Sequence, residues 1–221
     1  MDDIEDDWKD DFSSWVTADI FPDPLWRGHY PGDLTELTEK TKEFLKHNDE
    51  LNTGLERDGG VSSSSATEQP HSWIESLDFY NWLRRPTEEI WHAWSYKDVD
   101  QRQIARSWAN FHPPGAWTDE HTHGPTDQVA VLYLDAPANS GNLQVLNPLF
   151  YHWEGTPRIS GSNGWRDVPI QTGDVIVFPG WMMHRTGKNE SDSDRLTINT
   201  NIKANPYQIE MQQVNLPPNL E

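Results

Sequence analysis

Three histidines and one arginine carry the most pointed chemistry in this sequence. His121 and His123 are one residue apart, six residues after Gly115. Residues two apart on a strand share a face, so this pair would present two imidazoles on one side of one strand. His184 closes the run Gly173-Asp-Val-Ile-Val-Phe-Pro-Gly-Trp-Met-Met-His184 and offers a third imidazole from another strand. Two close ligands and one distant one can gather a divalent metal, and neutral imidazoles suit iron, zinc, nickel or manganese. Arg195 follows His184 by eleven residues, at the head of Arg195-Leu-Thr-Ile-Asn-Thr-Asn201. A planar guanidinium grips a carboxylate through two charge-assisted hydrogen bonds, and the Thr197 hydroxyl can add a third contact.

Composition narrows what surrounds these residues. The 221 residues suit one domain, or one domain with an extension. Only 34% of residues are hydrophobic, but 12 Trp, 6 Tyr and 7 Phe supply a core. The formal charge of −19 argues against nucleic acid, whose recognition needs Lys and Arg to displace phosphate counterions, and against anionic membranes. With no cysteine there are no disulfides, thiolate zinc sites or cysteine nucleophiles, so a metal must live on His, Asp, Glu and water. No apolar run approaches the ~18 residues of a spanning helix. The acidic start Met1-Asp-Asp-Ile-Glu-Asp-Asp is the opposite of a signal peptide, so a cytoplasmic setting is expected, the host's cytoplasm if the chain is viral.

The elements that must position the histidines follow in order. Residues 1–12 read as an acidic tail that Trp8, Phe12 and, just beyond it, Trp15 could anchor. Residues 13–104 read as a helical and loop support. Within it, Leu34–Leu45 patterns as an amphipathic helix, Gly59 to Ser65 as a surface loop, and Phe79–Leu83 as a short helix. A second helix is expected to start at Pro86, a residue suited to the first helical position. Its Ile90, Trp91 and Trp94 would form a buried stripe. From Ile104 onward short β-like runs alternate with Gly, Pro, Asn and Asp: 107–111, 128–134, 142–146, 165–170, 174–178 and 195–202. Residues 105–205 therefore read as a jelly-roll core and 206–221 as a C-terminal tail. The expected fold is mainly β (α+β), a double-stranded β-helix with supporting N-terminal helices.

A lone His-x-His is a weak signal in a chain with nine histidines. Here Gly115, His121 and His123 match the first cupin pattern, and Gly173, Pro179 and His184 match the second, with Trp181 where a glycine is usual. Cupins are jelly rolls whose mouth collects ligands from an early and a late strand. Asp119 would share a strand face with His121, and Asp127 matches the fourth cupin ligand position. Asn110 and Asn199 are candidate pocket residues, Trp117 and Trp181 candidate stacking surfaces, His112 a loop residue, and Met182 and Met183 barrel fillers.

The combined spacing resembles the Fe(II)/2-oxoglutarate-dependent oxygenases, and most of all their 2OG-Fe(II) oxygenase group found in bacterial and phage sequences. The residues that carry the resemblance are His121-Thr-His123-Gly-Pro125, Leu132-Tyr133-Leu134, Pro137, Ser140-Gly141, Asn147-Pro148, Phe178-Pro-Gly-Trp181-Met-Met-His184 and Arg195, over about residues 105–203. It implies Fe(II) on His121, His123 and His184. It implies 2-oxoglutarate with its far carboxylate on Arg195, Thr197 and Tyr133, O2 as oxidant, and hydroxylation of an unknown substrate with release of succinate and CO2. The usual triad is two histidines and one carboxylate. His123 stands in the carboxylate position, so either three histidines hold the metal or Asp119 or Asp127 completes the set. Two other readings stay open: a cupin-type metal enzyme that does not use 2-oxoglutarate, and a non-catalytic jelly-roll binding or virion-associated module.

Overall fold

A computed structural model describes residues 25–97, 99–148 and 164–204. The expected tails at 1–12 and 206–221 lie outside these residues. In chain order the elements are β1 (Trp26–His29), α1 (Thr35–His47), β2 (Glu56–Arg57), β3 (Val61–Ser62), α2 (Leu77–Ala93), β4 (Arg102–His112), β5 (Trp117–Thr118), β6 (Gln128–Asp135), β7 (Leu143–Leu146), β8 (Trp165–Val168), β9 (Asp174–Pro179), β10 (His184–Thr186) and β11 (Arg195–Ala204). The fold is mainly β. A six-stranded antiparallel sheet, ordered β1-β9-β6-β11-β4-β3, faces a three-stranded sheet ordered β10-β7-β8, and β2 pairs with β5. This is the jelly roll that the short β-like runs predict, with two helices on its outer face.

Period-two alternation explains the layers. On β6, Ala130, Leu132 and Leu134 join Leu196 and Ile198 of β11, Val175 and Val177 of β9 and Ala109 of β4 in one core that also takes in Phe44 of α1 and Phe79, Leu83 and Ile90 of α2. The alternate residues Val129, Val131 and Tyr133 point the other way, into a second core with Ile176, Phe178, Leu143 and Met182 between the sheets. α1 buries Leu37, Thr41, Phe44 and Leu45, an i, i+4, i+7, i+8 stripe. Tyr80 Oη and Thr200 Oγ1 lie 3.0 Å apart, and Gln128 Nε2 donates to Thr87 O at 3.0 Å, so α2 is tied to β11 and β6.

Two expectations about the first hundred residues are corrected. Phe79–Leu83 and the segment from Pro86 form one helix, α2, with Pro86 inside it. Burial of Phe79, Leu83, Thr87, Ile90 and Trp91 along one stripe holds both halves against the sheet, and Thr87 Oγ1 donates to Leu83 O at 2.8 Å beside the proline. Of residues 59–65, Val61 to Ser63 are not surface loop. Val61–Ser62 pairs with Phe111 and Asn110 of β4. Ser63 is buried, its N–H donates to Ala109 O and its hydroxyl accepts from Ala109 N, both at 2.9 Å. Ser62 and Ser63 can be interior because each hydroxyl accepts from a backbone N–H, of Ser64 and Ala109 respectively.

Candidate metal centre and anion arm

The three histidines converge, but not from one regular strand. His121 and His184 form an isolated antiparallel bridge, exchanging N–H···O bonds of 2.9 and 3.0 Å. His123 lies in the turn that follows, with its backbone N–H on Gly180 O at 2.8 Å. Gly180 is required there, since a Cβ at this position would run into Thr126 O. That close approach folds the turn back onto the end of β9 and sets His123 against His184. The ligand nitrogens of His121, His123 and His184 all lie within 4.8 Å of one another, and the Nε2 atoms of His123 and His184 are 3.2 Å apart. Two imidazole nitrogens on adjacent positions of one ion, each at ~2.1 Å, would sit ~3 Å apart.

Each imidazole is oriented from behind. Nδ1 of His121 lies 2.8 Å from Asp119 O, Nδ1 of His184 2.8 Å from Met182 O, and Nδ1 of His123 2.7 Å from Asn201 Oδ1. All three acceptors are oxygens, so the proton sits on Nδ1 and the Nε2 lone pairs face the shared point. Burial lowers all three pKa values, that of His123 to about 4, and the neighbouring imidazoles push His184 down further. Three unprotonated, inward-facing imidazoles are a donor set for a divalent cation. Trp108 of β4 stacks on His123 with ring centroids 5.5 Å apart.

Asp119 and Asp127 are not brought to this point. Asp119 is drawn to Arg57, whose guanidinium lies 2.8 Å from Oδ2. Asp127 accepts the N–H of Ala204 at 2.9 Å. His121 sits in a bridge and not in a continuous strand, so the face shared with Asp119 does not form.

The cavity beside the histidines encloses about 270 Å3 and is walled by Trp108, Asn110 and His112 of β4, Val131 and Tyr133 of β6, and Arg195, Thr197 and Asn199 of β11. Each set is a run of alternate residues on one strand. Arg195 is fully buried, and among the described residues its hydrogen-bond partners are neutral. Nη1 donates to Ser140 O at 2.5 Å, Gly141 O at 2.8 Å and Gly187 O at 3.3 Å; Nη2 donates to Thr186 Oγ1 at 2.9 Å; Nε has no partner. The Ser140-Gly141 step thus supplies carbonyls to the guanidinium. Gly141, at φ +88°, is a glycine because a Cβ would strike Gly187 O and Arg195 Nη1. Burial lowers the Arg195 pKa and raises that of Tyr133. A guanidinium whose direct hydrogen-bond partners are all neutral, with Glu56 acting on it only at a distance, can take an anion in direct contact.

Asn110 and Asn199 line the cavity, and Asn110 Oδ1 is buried with no partner among the described residues. Met182 is buried in the second core. Trp181 is half exposed and outside the cavity wall. His112 is no loop residue: it ends β4, buried, with Nε2 2.5 Å from Glu56 Oε2 and 2.9 Å from Thr118 Oγ1. Glu56, Trp108 and Asn201 were not singled out by residue type. The period-two spacing of Trp108 from Asn110, and of Asn201 from Asn199, is the signal that could have found two of them.

Residues 106–201 match the family model described as "Putative 2OG-Fe(II) oxygenase". No curated protein matches the chain. Among solved structures, the chain is similar to the non-heme α-ketoglutarate-dependent epimerase SnoN from nogalamycin biosynthesis (14% identity, 82% of this chain and 78% of that one, TM-score 0.59). It is also similar to a Pseudomonas putida prolyl-4-hydroxylase (17% identity, 84% and 95%, TM-score 0.54). A third is HygX from Streptomyces hygroscopicus, solved with nickel and 2-oxoglutarate (14% identity, 81% and 82%, TM-score 0.51). At such identities the likeness speaks for the fold. Residues 106–201 are thus similar to the 2OG-Fe(II) oxygenases in sequence, and the described chain shares the fold of solved members of that group.

Proposed function

We infer that this chain is an Fe(II)- and 2-oxoglutarate-dependent oxygenase that hydroxylates a C–H bond of its substrate. The observation that carries the reading is one cavity holding both a set of three inward-facing imidazole lone pairs and a buried guanidinium without an anionic partner. His121, His123 and His184 would hold the iron. Arg195 would take the far carboxylate of 2-oxoglutarate, with the hydroxyls of Thr197 and Tyr133 beside it on neighbouring strands, where Thr197 and Tyr133 are register partners. Iron, 2-oxoglutarate and O2 together supply oxidative decarboxylation to succinate and CO2, coupled to oxidation of a C–H bond. The protein's own contribution is orientation and dryness. Asp119 O, Met182 O and Asn201 Oδ1 fix the imidazole tautomers, while Trp108, Val131 and Leu143 line the wall with apolar surface.

Similar structures include an epimerase and a carbocyclase as well as prolyl hydroxylases, so the fate of the oxidised carbon is read from product and not from fold. The test is anaerobic titration of the Fe(II)-loaded protein with 2-oxoglutarate, followed by the visible charge-transfer band of the chelate. A saturable band that His184→Ala abolishes, and succinate release on admitting O2, support the reading. Iron bound without a band points to a cupin-type centre that does not use 2-oxoglutarate. No iron bound points to a non-catalytic module.

A further inference from the structure

The cavity wall contains a second ionisable pair, contributed partly from outside the segment that carries the family match. Glu56 of β2 and His112 of β4 are both buried and both line the cavity. Glu56 Oε2 lies 2.5 Å from His112 Nε2 and accepts from Thr118 Oγ1 at 2.7 Å. Thr118 N–H donates to Thr186 Oγ1 at 2.8 Å, and Thr186 Oγ1 also accepts from Arg195 Nη2 at 2.9 Å. Thr186 and Thr118 therefore bridge Arg195 to the pair, Thr118 through its backbone N–H on one side and its hydroxyl on the other, and His112 and Arg195 are direct register partners across β4 and β11. Among the described residues His112 Nδ1 has no partner.

The charges of this cluster are simple to follow. Arg195 carries +1 and an ionised Glu56 carries −1, so with His112 neutral the cluster is balanced. A carboxylate arriving on Arg195 makes the sum −1 in a buried place, which is costly unless a proton arrives with it. His112 is the group that can take it. Burial lowers its pKa, the Arg195 charge lowers it further, and the contact with Glu56 raises it. An anion on Arg195 cancels the second influence and leaves the third.

We propose that Glu56 and His112 are positioning residues for the co-substrate, taking up one proton from bulk water when a carboxylate docks on Arg195. The inference rests on the reading of Arg195 as the anchor of 2-oxoglutarate. The other charged groups at this edge are already paired: Arg57 with Asp119 at 2.8 Å, and Lys188 with Asp58 at 3.6 Å. Tyr133 of β6 faces Arg195 and stays protonated, β3 contributes no ionisable group, and Glu56 also acts at a distance on His121. The sign follows from linkage. His112 has a lower pKa with the arm empty than with it filled, so 2-oxoglutarate binds more tightly at low pH. Affinity falls as pH rises through the filled-state pKa.

The experiment is anaerobic calorimetric titration of the Fe(II)-loaded protein with 2-oxoglutarate, in buffers of different ionisation enthalpy and across a pH series. The expected result is net uptake approaching about one proton, with Kd rising up to about tenfold per pH unit in the linked range. His112→Gln and Glu56→Gln should each remove the uptake and flatten the pH profile. Binding without proton uptake in the wild type overturns the proposal and leaves the oxygenase reading standing. Loss of affinity in both variants by the same factor at every pH, with uptake retained, also overturns it, because that is what a merely structural pair would do. No binding of 2-oxoglutarate at any pH removes the oxygenase reading and this proposal together. The wild-type buffer series needs no variant, so a misfolded His112→Gln does not spare the proposal.

Discussion

The two faces of β11 are built on opposite rules. Leu196 and Ile198 point toward the helices and are almost fully buried among Ala109, Leu132, Val175 and the side chains of α1 and α2. Arg195, Thr197 and Asn199 point toward the cavity, and Asn201, next in that series, holds His123. The first face removes apolar surface from water and asks of each residue only size and shape. The second buries a charge and several polar groups, and among the described residues Nε of Arg195 has no partner, nor has Oδ1 of Asn110 on the neighbouring β4. Such orphans oppose stability in the ligand-free fold, and a bound ligand can relieve them. One face holds the protein together. The other keeps a place ready.

The difference can be broken from either side. The largest effect is expected from Arg195→Ala, which should weaken 2-oxoglutarate binding by an energy on the order of 2–5 kcal/mol, since a desolvated carboxylate loses its partner. Melting temperature should fall less than in a helix-face truncation. An unchanged co-substrate affinity would remove Arg195 from the role proposed for it. Ile198→Ala is the counterpart, with a comparable energy in the other observable: unfolding free energy lower by ~2–5 kcal/mol in a denaturant titration, with the folded fraction binding 2-oxoglutarate as before. If that variant lost affinity at wild-type stability, the division between faces would be wrong. Thr197→Val keeps the shape and deletes the hydroxyl. It should cost about 1 kcal/mol in co-substrate binding and leave the thermal midpoint nearly unmoved, and equal Kd values for the two proteins would exclude the threonine contact. Smallest of all is Asp119→Asn. It removes a half-exposed ion pair with Arg57 worth roughly 0–1 kcal/mol and should leave iron stoichiometry and affinity as they are. A large drop in bound iron would instead return Asp119 to the ligand set.

Legibility followed the range of the physics. β4, β6, β9 and β11 were readable because their two-residue alternation or apolar run sits in consecutive positions. The imidazoles and Arg195 were readable because their types are chemically distinctive and their spacing matches a known pattern. Glu56 was not, because nothing local says that an acid in a Gly-rich stretch will meet His112 across 56 residues. Pro86 misled for the complementary reason: a local breaker was overruled by a buried stripe whose two halves pack on the same sheet. His121 and His123 reached one point by a route different from the expected strand, through a bridge and a turn closed on Gly180.

The sequence by itself determined the donor types, the absence of thiolate chemistry, the alternation that makes a two-faced sheet and the spacing of the three histidines and the arginine. Those properties are local, or belong to single side chains. Tertiary structure alone decided that Asn201 orients His123 and that Asp119 goes to Arg57. It also decided that neutral carbonyls surround Arg195 and that Glu56 and His112 close the far wall. Each is a meeting of segments distant in the chain, and the way strands and the loops between them are brought together, not residue type, sets which groups meet.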